Sequence, residues 1–218
     1  TQIDLIDYIL NYSGNWVEQD PGTTANNLLS NVCANPYSMT VNPGAATPGK
    51  WKGSVDSDWF NCANWENKTV PDETIDVTIS NSASRDAEID VTGIAPGLDR
   101  SSYSDIYEDF ASCKNLNIEQ GMELILDQEN DTIKVYGDLT IETGISDATL
   151  DMSDGNGATT DGTLILYGNW TNLADETDFK QGNSKVILNG TTEQVITTTD
   201  PDEVFHNLII NNQSVNGV

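Results

Sequence analysis

Five short segments in the second half of the chain share one pattern. They are LNIEQG from Leu116, LTIETG from Leu139, LILYGN from Leu164, VILNGT from Val186 and LIINNQ from Leu208. They recur at steps of 23, 25, 22 and 22 residues. Each sets aliphatic side chains at alternate positions, which aims one set at one face of a strand. Each then runs into Gly or Asn, residues that turn a corner at low conformational cost. Weaker strand segments lie between them: MELIL from Met122, ATLDM from Ala148 and QVITT from Gln194.

A period of that length with two or three short strands matches one coil of a β-solenoid. Strands of successive coils then pair about 4.8 Å apart. Their inward aliphatics form a column that a single coil could not bury alone. The pattern therefore predicts an all-β chain, a parallel β-solenoid with coils of about 22–25 residues. The alternative is an antiparallel β-sandwich, whose strands also recur at short, regular intervals.

Three zones divide the 218 residues. Residues 1–49 are acidic and mixed, with short helical turns expected around Ile3–Leu10 and Asn26–Cys33 before a Pro/Gly linker, and read as the end of a preceding domain. Residues 50–113 hold a Trp-rich stretch, strands at Ile75–Ser80 and Ala87–Ile94, and a long excursion before Cys113. Residues 114–218 hold the coils. A stack broken at the last of them would leave strand edges and an apolar column open, so further coils are expected beyond Val218.

The formal charge is −26, from nine Lys and Arg against 35 Asp and Glu. Such a field repels phosphate backbones, so no nucleic-acid partner is expected. No apolar run approaches the length of a membrane span, so no membrane insertion is expected.

The stretch WKGSVDSDWFNCANWENKTVP concentrates Trp51, Trp59 and Trp65. Exposed and coplanar, these rings would form a platform for surface glycans. Buried, they would cap the first coil, with Asp56, Asp58, Asn61 and Asn64 near enough in sequence to accept their N–H groups or to fix turns. A Cys62–Cys113 disulfide would tie the cap to the coils, closing a loop worth roughly 4 kcal/mol of chain entropy; Cys33 would be left over. Asp151, Ser153, Asp154, Asn156 and Asp161 crowd a Gly-rich loop. Oxygen donors in such a loop suit Ca²⁺, and an Asp/Gly corner needs no metal at all. Ser-His-Asp spacing, a G-x-S-x-G elbow and a phosphate loop are all missing from the sequence. No enzyme is expected.

The stretch resembles a recurrent element of large secreted surface proteins of Bacteroidota, of the form W-x-G…D-W-x-N…N-W…V-P…D-V-T-I. The matching residues are Trp51, Gly53, Asp58, Trp59, Asn61, Asn64, Trp65, Val70, Pro71, Asp76, Val77, Thr78 and Ile79. An N-L-x-I-x-x-G strand follows at Asn115–Gly121, and a later block is matched by Val186, Gly190, Thr191, Gln194, Ile196, Phe205, Asn207, Leu208 and Ile210. The resemblance covers Trp51 to Val218. It implies an adhesin-type or filament protein exported by the type IX route, with no catalytic residue to carry over. It also implies that Asp131-Thr132-Ile133 is a glycosylation sequence of the Asp-Ser/Thr-aliphatic kind, modified on Thr132.

The expectation is a non-enzymatic structural or adhesive module of an extracellular surface protein or fibre. Its partners would be neighbouring domains of the same chain, other copies in a fibre, or surface glycans. The alternative is a carbohydrate-binding module built on the three Trp residues, and a third reading is a polysaccharide-degrading enzyme.

Overall fold

The computed structural model describes residues 47–91, 110–126, 128–153, 161–175, 178–199 and 201–218. Among the described residues, fourteen strands follow one another: β1 (Val77–Ile79), β2 (Ala87–Glu88), β3 (Ala111–Cys113), β4 (Leu116–Ile118), β5 (Glu123–Ile125), β6 (Thr132–Val135), β7 (Leu139–Ile141), β8 (Thr149–Asp151), β9 (Thr163–Leu166), β10 (Trp170–Asn172), β11 (Phe179–Lys180), β12 (Lys185–Leu188), β13 (Ile196–Thr198) and β14 (Asn207–Ile210). They form three sheets, in the orders β1-β4-β7-β10-β13, β2-β5-β8-β11 and β3-β6-β9-β12-β14. Every pairing between these strands is parallel and joins equivalent strands of neighbouring coils. The chain is a parallel β-solenoid, and the antiparallel sandwich is excluded.

Alternation builds the core. In the first sheet Val77, Leu116, Leu139, Trp170 and Ile196 share one column. In the third sheet Ala111, Ile133, Leu164, Val186 and Leu208 share another. Leu124, Leu150 and Phe179 face them from the second sheet. Each buried aliphatic contributes roughly 1.5–3 kcal/mol relative to exposure. Among the described residues no strand exceeds four residues, so stability comes from the columns and from pairing along the stack.

The coil length differs from the expected near-constant period. Leu116 and Leu139 belong to the first sheet, whereas Leu164, Val186 and Leu208 belong to the third. The five segments are therefore two series. The third sheet steps from Ile133 to Leu164 across a long coil that contains the Gly-rich loop. QVITT likewise supplies β13 of the first sheet instead of following MELIL and ATLDM in the second. The strands β3, β6, β10 and β11 stand where no strand is expected, β3 at the end of the excursion before Cys113. An inward L-x-I strand reads alike on all three sides of the coil, so spacing alone could not assign it to a sheet.

The helical turns expected around Ile3–Leu10 and Asn26–Cys33, the leftover Cys33 and most of the excursion before Cys113 lie outside the described residues. Among the described residues, no helix is long and apolar enough to cross a membrane.

Candidate functional site

The Trp-rich stretch forms an irregular rung on top of the stack. Trp51 N–H donates to the Thr78 carbonyl (2.9 Å), and Thr78 N–H donates back to Gly49 O (3.0 Å). Trp59 N–H donates to Glu88 O (2.9 Å), and Glu88 N–H to Ser57 O (2.8 Å). The stretch thereby covers the edges of β1 and β2. Gly49 is needed at its entry. It sits at φ +70°, and a Cβ there would collide with the Asp76 carbonyl.

Trp51, Trp59 and Trp65 are each 0% exposed and belong to the main core. Trp65 stands between the other two. Its ring meets Trp51 edge-on at 5.0 Å and Trp59 at 4.8 Å, at interplanar angles of 76° and 79°. Edge-to-face contact suits the ring quadrupole. No ring offers a face to solvent, so the glycan platform at Trp51, Trp59 and Trp65 is withdrawn. The reason is hydrophobic: three large rings are the cheapest way to close the top of an apolar column.

Two of the three indole N–H groups find partners other than the neighbouring acids and amides, and the buried Trp59 Nε1 finds none among the described residues. Trp51 Nε1 donates to Arg85 O and Trp65 Nε1 to Trp59 O, both at 2.8 Å. The neighbouring acids and amides hold the turn instead. Asn64 Oδ1 accepts from Val55 N and Asp56 N, while its Nδ2 donates to Asp56 Oδ1 (2.5 Å) and Asp58 O (3.0 Å). Asn61 Nδ2 donates to Asp56 Oδ2 at 2.9 Å, and Asn61 Oδ1 caps the short 3₁₀ turn Cys62–Asn64.

Cys62 and Cys113 are buried thiols and form no disulfide with each other. Cys113 occupies an inward position of β3, in register with Val135. It serves there as a small core side chain. Cys62 lies on a cap turn, and the cap residues Lys50 and Asp58 bridge to Thr78 of the first sheet and Glu88 of the second, while Cys113 belongs to the third. Burial pushes the Cys113 thiol far above its ordinary range, and the Asp76 carboxylate adds to the shift.

The expected Ca²⁺ ligands divide. Asp154 and Asn156 lie outside the described residues. Asp151 is already engaged: its Oδ1 accepts from Ser153 N and Ser153 Oγ, and its Oδ2 lies 2.9 Å from Lys180 Nζ. Lys180 also reaches Glu123 Oε1 at 2.7 Å, two coils away. Burial pulls the Lys180 pKa down, but these two carboxylates outweigh it and hold it above its usual value. An ammonium on Asp151 is the wrong neighbour for a divalent cation. Asp161 is buried, and its Oδ2 accepts from Asn183 N at 2.5 Å. Ser153 and Asp161 both pack against Gly182.

Stacking assembles a different acidic group. One carboxylate oxygen each of Asp147, Asp175 and Asp178 lie within 4.8 Å of one another. Asp147 Oδ1 accepts from Thr143 Oγ1 and Gly144 N, and Asp178 Oδ2 from Asp175 N. Burial, then the hydrogen bond and charge of Asp175, push the Asp178 carboxyl up to about 6. These residues come from successive coils, so no local motif announces them. Thr132 starts β6 on its outward side and is half-buried, with Oγ1 donating to Asn130 O at 3.3 Å. The preceding Asp131 is fully buried and accepts from Val91 N and Gln128 N.

In comparisons with protein families, curated proteins and solved structures, nothing matches this chain.

Proposed function

We propose that this chain is a structural or adhesive module of a long secreted bacterial surface protein or extracellular fibre, and not an enzyme. The observation that carries this reading is the continuous, in-register core column running through all three sheets. A column of that kind transmits load along its axis, because every coil is hydrogen-bonded to the next by several parallel strands. The tryptophans support it too: they are spent on closing the stack, not on a ligand. The carboxylates keep such a rod soluble. In this reading the open side of β14 takes a further coil of the same polypeptide, whose strands continue the columns of Leu208 and Ile210.

Two measurements on the native protein test the reading. An antibody raised against the 218-residue chain is expected to label elongated structures outside the source cell in electron micrographs. The purified chain is expected to leave polysaccharides unchanged. Labelling confined to the cell interior, or turnover of any polysaccharide, overturns it.

A further inference from the structure

The outer face of the third sheet differs in charge from the rest of the molecule. Its rungs β6, β9, β12 and β14 each present three outward positions, counting the residue after the strand. None of these twelve is Asp or Glu, in a chain carrying 35 of them. The other two sheets carry acids on or beside their outward positions, for example Asp138 and Glu142, or Glu88 and Glu123. Three of the nine Lys and Arg of the chain stand on the third sheet instead: Lys114 after β3, Lys134 on β6 and Lys185 on β12. They run diagonally across it, at backbone separations of about 8 Å and about 12 Å given the strand spacing and rise.

Between the lysines the face is apolar and aromatic. Ile165, Ile187 and Ile209 stack in register as an outward aliphatic stripe, and Ile209 is 42% exposed. Beside the stripe the exposed Tyr136 ring stacks on Tyr167, with planes 5° apart and centroids 4.9 Å apart. Two of the lysines already have neighbours within the chain. Lys134 Nζ lies 3.2 Å from the Phe110 ring centroid, and Lys114 pairs with Asp76 at 3.4 Å. Lys185 is exposed.

We propose that this face binds a single chain of an acidic polysaccharide, a run of sugar rings bearing carboxylates. Charge complementarity selects an anion, since three cations stand here without an outward carboxylate among them. A polymer charged at every unit brings a carboxylate near each lysine in any register. The C–H faces of its rings then lie on the isoleucines and against the tyrosines. Width selects one chain over a broad surface. Exposed carboxylates stand at both corners of the face, Asp76 and Asp138 on one side and Glu129 on the other. A membrane or an acidic protein pressed on the face would meet them, and a chain lying along the strip would not. The strip offers roughly 300 Å², from four rungs about 4.8 Å apart and about five residues wide. That is less than half of one side of a standard protein interface, so several sugar units fit and the affinity is low. This names an adhesive partner for the module proposed above, whose structural role stands even if the face binds nothing.

An NMR titration of the isotope-labelled whole chain with hexagalacturonate tests the proposal, in about 0.15 M NaCl, where charges beyond about 8 Å are screened and contacts at the lysines are not. EDTA is present, so that no divalent cation bridges acid to acid. Saturable shifts are expected, largest at the amides of β6, β9 and β12, with a Kd on the order of 1 mM. Methyl-esterified hexagalacturonate lacks the charge and hexaglutamate lacks the rings, and each is expected to bind about five-fold more weakly or worse. Lys185→Gln and Tyr136→Ala are each expected to weaken binding about three-fold or more. Thr171→Glu, on the outside of the first sheet, makes the same one-unit charge change as Lys185→Gln and is expected to weaken it less than about two-fold. The same spectra show whether each variant is folded. No shifts up to about 10 mM probe overturn the proposal. So do shifts centred on the cap or the first sheet, an ester that binds as tightly as the acid, or equal weakening by Lys185→Gln and Thr171→Glu. Hexaglutamate binding as tightly as the sugar would also overturn it, and would give the face to an acidic peptide. Co-flotation with phosphatidylserine vesicles in the absence of sugar binding would give it to a lipid surface.

Discussion

At the Trp-rich end of the stack, the outermost column positions are sealed by three rings that are 0% exposed. At the other end, Leu208 and Ile210 are 37% and 59% exposed. Yet they share columns with Val186 and Leu188, each 1% exposed one coil earlier. The residue types are equally apolar at both ends, and only the neighbour differs. In a solenoid, burial is conferred by the next rung and not by the residue itself. A second aromatic group, Trp170 with Phe179 and Phe205, shows the intermediate case. Trp170 meets both phenyl rings edge-on at 4.9 and 5.0 Å. Trp170 and Phe179 are buried, while Phe205, in the final coil, is only partly so. The second sheet has no strand beyond β11 among the described residues, so Phe205 covers that side in place of a strand.

Truncation at the two ends gives the largest contrast. Trp65→Ala removes a ring packed between two others, and is expected to cost about 3–5 kcal/mol, or about 10 °C in Tm. Ile210→Ala is expected to cost less than about 1 kcal/mol, because most of that side chain already meets water. Thermal and urea denaturation of both variants check this. Equal costs would mean that the end at β14 is covered in solution, and the comparison between the two ends would fail.

A second test asks what makes the sealed end rigid. Asn64 is fully buried and its side chain makes four hydrogen bonds inside the cap. Asn64→Ala leaves Val55 N–H and Asp56 N–H without that acceptor, and is expected to cost about 2–3 kcal/mol. Native-state hydrogen exchange should show the loss first in residues of the cap and β1. Uniform loss along the stack would show instead that the cap does not open by itself.

Much of this was readable in the sequence, and the part that was not has a physical reason. Alternating L-x-I segments marked β4, β7, β9, β12 and β14, and the need to bury their inward side marked the solenoid. Their assignment to sheets was not readable, since Leu139 and Leu164 sit in identical local patterns on different sides of the coil. The third sheet also steps 31 residues from Ile133 to Leu164, against 22 from Leu164 to Val186, and no feature of either segment announces the difference. The Trp residues were recognisable as either cap or platform, and burial alone decided between the two. Contacts between coils were invisible: Lys180 reaching Glu123, or Asp147 meeting Asp175 and Asp178, depends on register. So does the absence of carboxylates from the outside of the third sheet, which emerges only when five separate strands are laid side by side.

Nearer the open end, Asp178 gives a smaller and pH-dependent effect. Its folded pKa of about 6 lies above the ordinary carboxylate value, through burial and then Asp175. The folded state therefore binds this proton more tightly than the unfolded state. The sign follows: the contribution is present at low pH and is lost as pH rises through about 6. Asp178→Asn is expected to raise Tm at pH 7 by about 1–3 °C, allowing for solvent screening. The gain should shrink as pH falls toward 5. A gain independent of pH would assign the effect to something other than this proton.

The smallest expected effect concerns Cys113, in the first rung of the third sheet. A Cys62–Cys113 bridge would make the sealed end depend on redox state, and reduction would then cost roughly 4 kcal/mol. With both residues as buried thiols, reduction is expected to leave Tm unchanged. Cys113→Val is expected to change stability by less than about 1.5 kcal/mol, because valine nearly conserves the volume and Val135 already occupies the paired position below. Thiol titration under native conditions should leave both groups unmodified, since the Cys113 thiol is held far from its thiolate by burial. Both should react once the chain is unfolded. A large drop in Tm on reduction would mean that the cap is fastened covalently. The contrast between the two ends would then rest on a crosslink, where the packed rings of Trp51, Trp59 and Trp65 now account for it.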